Sequence, residues 1–153
     1  QFNVGERPVK MNLKPGVRDG QRLRLRGKGN PSPMGGEAGD LHLTIQIKPH
    51  AKFRPEEKDL HMDLPVDFTL AALGGEVTVA TMEGGEVKVK IPAGSQPGKV
   101  LRLRGKGMPE LGEPSKRGAL YLHVQPRLPE SLAGREKELL TELKNLRNPQ
   151  TTF

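Results

Sequence analysis

The chain has no cysteine and no tryptophan, a single tyrosine (Tyr121), and only 3% aromatic residues among its 153 positions. The missing cysteine excludes disulfides, thiol chemistry and thiolate-ligated zinc, and it suits a reducing compartment such as the cytoplasm. The shortage of aromatics removes the stacking platforms that single-stranded nucleic-acid binders set along basic grooves. No stretch approaches the run of about 18 apolar residues that a membrane-spanning helix needs. The opening stretch QFNVGERPVK does not itself read as a signal peptide and has no initiator Met, so a piece of a longer protein is expected. Catalytic arrangements are missing too. His42, His50, His61 and His123 stand apart with no HExxH spacing, and Ser32, Ser95, Ser115 and Ser131 lie in Gly/Pro-rich loops without a Gly-x-Ser-x-Gly elbow. These patterns predict neither an enzyme, nor a cofactor, nor a metal site.

What is present is turn chemistry, charge and a repeat. Gly 19 and Pro 14, against 33% hydrophobic residues, suit short strands punctuated by turns. The net charge is +7, which permits contact with polyanions but does not specify it. The heptapeptide LRLRGKG occurs at 23–29 and again at 101–107. Gly16 and Gly20 fall on Gly94 and Gly98 at the same shift. Val9, Met11 and Leu13 fall on Val87, Val89 and Ile91. With a one-residue slip, Gly39, Leu41, Leu43 and Ile45 fall on Gly118, Leu120, Leu122 and Val124. A period near eighty residues is too long for a solenoid and suits a duplicated small domain.

Each copy reads as alternating strands. Val9, Met11 and Leu13 alternate with Lys10, Asn12 and Lys14, predicting a half-buried strand. Leu23 and Leu25 should face a core while Arg22, Arg24 and Arg26 face water. Gly-Lys-Gly ends that strand and is not a phosphate loop, because the Lys is followed by Gly rather than Ser or Thr and no helix pattern comes after it. Leu60, Met62 and Leu64, and Val77 and Val79, predict further strands, with a helical turn over 70–73 closed by Gly74. The stretch ahead of Val87 supplies the front half of the second domain, and the first domain has no equivalent here. Near the end, Leu139, Leu140, Leu143 and Leu146 form one apolar stripe on a helix over 135–147, with Glu136 and Glu138 early and Lys144 and Arg147 late, as the helix dipole favours. Such a helix either packs on its own domain or joins a partner helix in a dimer. The expected architecture is all-β: two tandem small β-sandwich domains of duplicated origin, at 1–53 and 54–129, then a helix and tail at 130–153.

The stretches LKPGVRDGQRLRLRGKG, GGEAGDLHLTIQIKPHAKF, DLPVDFTLAALGGEVTVATMEGGEVKVKIPAGSQPGKVLRLRGKGMP, RGALYLHV and EKELLTELKNL, in this order, resemble the C-terminal substrate-binding region of DnaJ-type co-chaperones over essentially the whole chain. The resemblance implies two tandem β-sandwich domains and a C-terminal helix that pairs two arms into a dimer. It implies that unfolded client polypeptides are held in shallow apolar grooves and passed to a DnaK-type ATPase chaperone. It places Val9, Met11 and Phe53 in the first-domain groove, although each also suits a core position, and puts Leu139, Leu140, Leu143 and Leu146 at the dimer contact. The His-Pro-Asp motif of the ATPase-stimulating J domain and the zinc-binding insert of one family class do not occur in the sequence. One alternative from another class is a basic β protein that binds nucleic acid, with the arginine rows as a phosphate track.

Overall fold

The computed structural model describes residues 1–147, and among them the chain forms twelve strands and two helices. Two short hairpins come first. β1 (Phe2–Val4) pairs with β2 (Arg7–Val9), and β3 (Arg22–Leu25) pairs with β4 (Leu41–Thr44), both antiparallel. The second half is a sandwich. β5 (Phe53–Glu56), β6 (Asp59–Asp67), β9 (Val100–Leu103) and β12 (Leu120–Arg127) make a four-stranded sheet in the order β5-β6-β12-β9, with β12 parallel to β6 and antiparallel to β9. The hairpin of β7 (Gly75–Ala80) and β8 (Glu86–Ile91) forms the other layer. α1 (Phe68–Leu73) connects the layers. Asp67 caps its start by accepting from the Thr69 N–H at 2.9 Å, and the Gly74 N–H closes its end on the Leu70 carbonyl. A small hairpin of β10 (Pro109–Glu110) and β11 (Glu113–Arg117) precedes β12, and α2 (Gly134–Arg147) follows it.

The twin heptapeptide builds the same ladder twice. In the first copy Leu23, Arg24 and Leu25 stand opposite Leu43, His42 and Leu41. In the second, Leu101, Arg102 and Leu103 stand opposite Leu122, Tyr121 and Leu120. The flanking bonds repeat as well: Gly20 donates to Ile45 at 2.7 Å and Gly98 to Val124 at 3.2 Å, while Gly29 donates to Gly39 at 2.7 Å and Gly107 to Gly118 at 2.9 Å. The two glycines around the lysine have separate causes. Gly27 and Gly105 adopt φ of 65° and 72°, the left-handed region that a Cβ disfavours. A Cβ on Gly29 would lie 2.6 Å from the Asp40 carbonyl oxygen, and one on Gly107 2.7 Å from that of Ala119, so both sites need glycine for close backbone approach.

The copies differ in what covers this ladder. In the second, Leu60, Leu120, Leu122, Val124 and Ile91 are almost wholly buried between the layers. In the first, Leu23, Leu25, Leu41 and Leu43 are only half-buried, and no apolar side chain before Phe53 is buried. The first copy has no counterpart in this chain of β6, α1 and β7, so its ladder is one layer with one face uncovered. The same lack corrects the strand predicted over Val9, Met11 and Leu13. Its second-copy equivalent, β8, is held by β7, whereas in the first copy pairing ends at Val9, and Met11 and Leu13 lie outside any strand. A strand exists by its partner, and alternation alone does not supply one.

Candidate functional site

The uncovered face of the first copy leaves apolar side chains within reach of solvent. Met11, Leu13, Val17 and Leu23 line an open groove of about 370 Å³ that Leu111, on the β10–β11 turn, closes from the second half. Leu13 is 52% exposed, and Lys14 and Gln21 give the groove a polar rim. The halves touch here: Arg18 Nη2 donates to the Pro109 carbonyl at 3.3 Å. Val9 lies apart from Met11, in a neighbouring concavity of about 410 Å³ between the β1–β2 hairpin and Gly27–Pro31. Ten Lys or Arg against four Asp or Glu precede Phe53, so six of the seven net positive charges fall in the part of the chain that holds these two concavities.

Phe53 is not brought to Val9 and Met11. It opens β5, pairs with Met62 and sits in the core of the second half at 5% exposure, with the His50 ring tilted against it at 5.0 Å. It does not line the concavities that hold Val9 and Met11. Burial against Leu60, Leu122 and their neighbours gives it the more favourable position.

Along α2, Leu139, Leu143 and Leu146 are 48%, 47% and 83% exposed, Leu140 is half-buried, and no residue is buried. The helix therefore does not cover its own domain, and its apolar stripe has no partner among the described residues.

Two charged side chains order the first ladder. Asp40 accepts from the Gly27 N–H at 3.0 Å and from Arg24 Nε at 2.6 Å. The Gly27 hydrogen bond, then the Arg24 guanidinium, hold its carboxyl below the ordinary carboxylate range. Arg24 is thus ion-paired rather than free for phosphate.

The expectation that the four histidines stand apart fails for two of them. His61 on β6 and His123 on β12 point from the outer face of the four-stranded sheet, His61 Nδ1 and His123 Nε2 lying 3.0 Å apart. His61 Nε2 is 3.0 Å from Glu56 Oε2, and its ring stacks on Tyr121 with centroids 5.0 Å apart at 15°. Arg102 lies over the other part of this row, 5.9 Å from the Tyr121 ring centre. Nearby, Arg54 bonds Asp63 at 3.0 Å and lowers its carboxyl. The two histidines are 62 residues apart in sequence. The only signal for the pair was their common parity within two strands, and this matters only once β6 and β12 are known to pair.

The geometry defines a class: a duplicated all-β scaffold with an amphipathic helix after it and an open apolar groove among its accessible features. The comparisons with known proteins specify it. Residues 3–129 match the model of the DnaJ C terminal domain family, and the chain belongs to that family. Chaperone protein DnaJ of Agrobacterium fabrum is 41% identical over 151 residues, covering 96% of this chain and 40% of that protein. Chaperone protein DnaJ of Brucella canis is 41% identical over 147 residues, covering 96% and 39%. The chain thus spans about two fifths of the length of these curated relatives. The relatives are chaperones, and they lend the nucleic-acid reading no support. Neither helix among the described residues is long and apolar enough to cross a membrane.

Proposed function

We propose that the chain is the client-binding region of a DnaJ-type co-chaperone. It holds unfolded polypeptides on apolar surface and delivers them to a DnaK-type ATPase chaperone in the cytoplasm, without catalysis or cofactor of its own. Membership of the family, together with the open groove at Met11, Leu13, Val17 and Leu23, carries this reading. Adaptable apolar surface beside an unpaired stretch of backbone suits binding of many sequences, because main-chain pairing is indifferent to side chains. Val9 and Met11 serve as client contacts, while Phe53 stands in the core of the second half. The two β domains then divide just before Phe53. Leu139, Leu140, Leu143 and Leu146 join two chains, and the second arm raises apparent affinity through effective concentration.

The test is a fluorescence-anisotropy titration against a labelled, permanently unfolded polypeptide, at about 50 and 200 mM salt, beside labelled single-stranded DNA. Client binding should survive the salt step, as apolar contacts do. It should weaken several-fold in Met11→Ser with Leu13→Ser. Leu143→Glu should sediment as a monomer and lose avidity. Binding of DNA alone, abolished by salt, would overturn the proposal.

A further inference from the structure

The histidine pair on the outer face of the second sheet belongs to neither the groove nor the helix, and its geometry is that of a ligand set. We infer that His61 and His123 form a binding site for a divalent d-block cation of the kind that takes imidazole nitrogen, with Cu(II) and Ni(II) ahead of Zn(II).

Three observations carry this. First, the facing nitrogens, His61 Nδ1 and His123 Nε2, are 3.0 Å apart. Two nitrogens each about 2.05 Å from one metal are about 2.9 Å apart at a right angle and about 3.4 Å apart at a tetrahedral angle. The observed spacing is close to the right-angled edge, which square-planar or tetragonal Cu(II) and Ni(II) offer. To share one metal, both rings would have to rotate so that each lone pair turns from the other nitrogen toward a common point. Second, the nitrogen of His61 that would not bind metal already faces a carboxylate, Glu56 Oε2 at 3.0 Å. A carboxylate on the far nitrogen is the arrangement that fixes the tautomer of a metal-bound histidine and raises its basicity. Third, the His61 ring is held in orientation by stacking on Tyr121, so little side-chain freedom is lost on binding.

The proton between the rings must leave that contact, passing to His123 Nδ1 or to solvent. Among the described residues no three His, Asp or Glu side chains converge on one point. The protein therefore supplies two ligands, and water or an incoming donor fills the other positions. The first copy cannot make this site, because Thr44 occupies the position of His123 and His42 that of Tyr121.

The single tyrosine makes the test direct, since no tryptophan masks it. Cu(II) bound at the pair lies close to the Tyr121 ring and should quench its emission. The whole 153-residue chain is titrated with Cu(II), Ni(II) and Zn(II), following tyrosine fluorescence and calorimetric heat. Affinity should follow copper, nickel, zinc, and the copper spectrum should show two coupled imidazole nitrogens in electron paramagnetic resonance. His61→Gln and His123→Gln should each weaken binding at least about tenfold, since losing a ligand costs no less than the roughly tenfold or more of losing a ligand's supporting partner, with unchanged circular dichroism. His42→Gln with His50→Gln should leave it unchanged. Equal quenching in the His61→Gln, His123→Gln double variant, or loss of binding in the His42→Gln, His50→Gln variant, would overturn the assignment.

Discussion

One carboxylate, Asp40, ties the end of the first ladder to its exit turn. It holds the Gly27 N–H where the chain takes a left-handed turn, and it keeps Arg24 along the ladder. The equivalent position in the second copy is Ala119. There Arg102 has no such acid and lies over Tyr121 instead, while the Ala119 N–H is bonded by Asp59 at 2.8 Å. The acids of the two copies thus bond backbone groups at different places: Asp40 the turn at Gly27, Asp59 the start of β12 at Ala119. Because the folded state lowers the Asp40 pKa below its ordinary value of 3.8, folding favours the charged form. Its stabilisation is complete above that value and is lost as pH falls through the lower folded one. Asp40→Asn should therefore be less stable than the parent at pH 7, and the gap should close as pH falls below 3.8 and through the lowered folded value. Asp63 and Asp67, also lowered, are present in both proteins and cancel in the difference. Thermal melts of the two proteins across this range check it. A gap that stays constant with pH would show that the Asp40 charge contributes nothing.

At the scale of elements, α2 starts poorly. Ala133 is the capping residue: its carbonyl accepts from the Lys137 N–H at 3.0 Å, but its side chain offers no oxygen to the free N–H groups of the first turn. Glu136 stands at the third helical position. Ala133→Ser would complete a Ser-x-x-Glu capping box and should stabilise the helix by about 1 kcal/mol. Circular dichroism at 222 nm should strengthen while the sheet contribution stays fixed, and an unchanged spectrum would refute the cap. The stripe of α2, the ladders of Leu23 and Leu101 and the turn at Gly74 were legible because periodicity and turn chemistry act over a few residues. Three features were not. Met11 and Leu13 alternate like a strand, but only a partner could make them one. Phe53 stands between the two copies, and its pairing with Met62 is a contact that no local pattern encodes. His61 and His123 meet through a parallel register that no local pattern encodes.

For the whole molecule, the two repeat copies bury unequal amounts of apolar surface within this chain. β12 is central, paired on one side with β6 and on the other with β9, above a core of Leu60, Leu122 and Ile91. Its equivalent β4 is paired only with β3, and the leucines of that hairpin stay half-buried. Local opening free energy follows buried apolar contact and backbone shielding, so the halves should not open together. In hydrogen exchange, the ladder amides of β3 and β4 should exchange on the order of tenfold or more faster than those of β12, since each 1.4 kcal/mol of local stability is a factor of ten. Equal protection would mean that something outside the described contacts covers the first face. The half less covered within this chain also holds the apolar groove and most of the net charge. In the proposed function the groove at Met11 and Leu13 is where the client seats. An unfolded polypeptide seated on it should therefore slow exchange at Leu23 and Leu43 while leaving Leu122 and Val124 as they were. Slowing in β12 alone would move the client to the second half and take the groove at Met11 and Leu13 out of the mechanism.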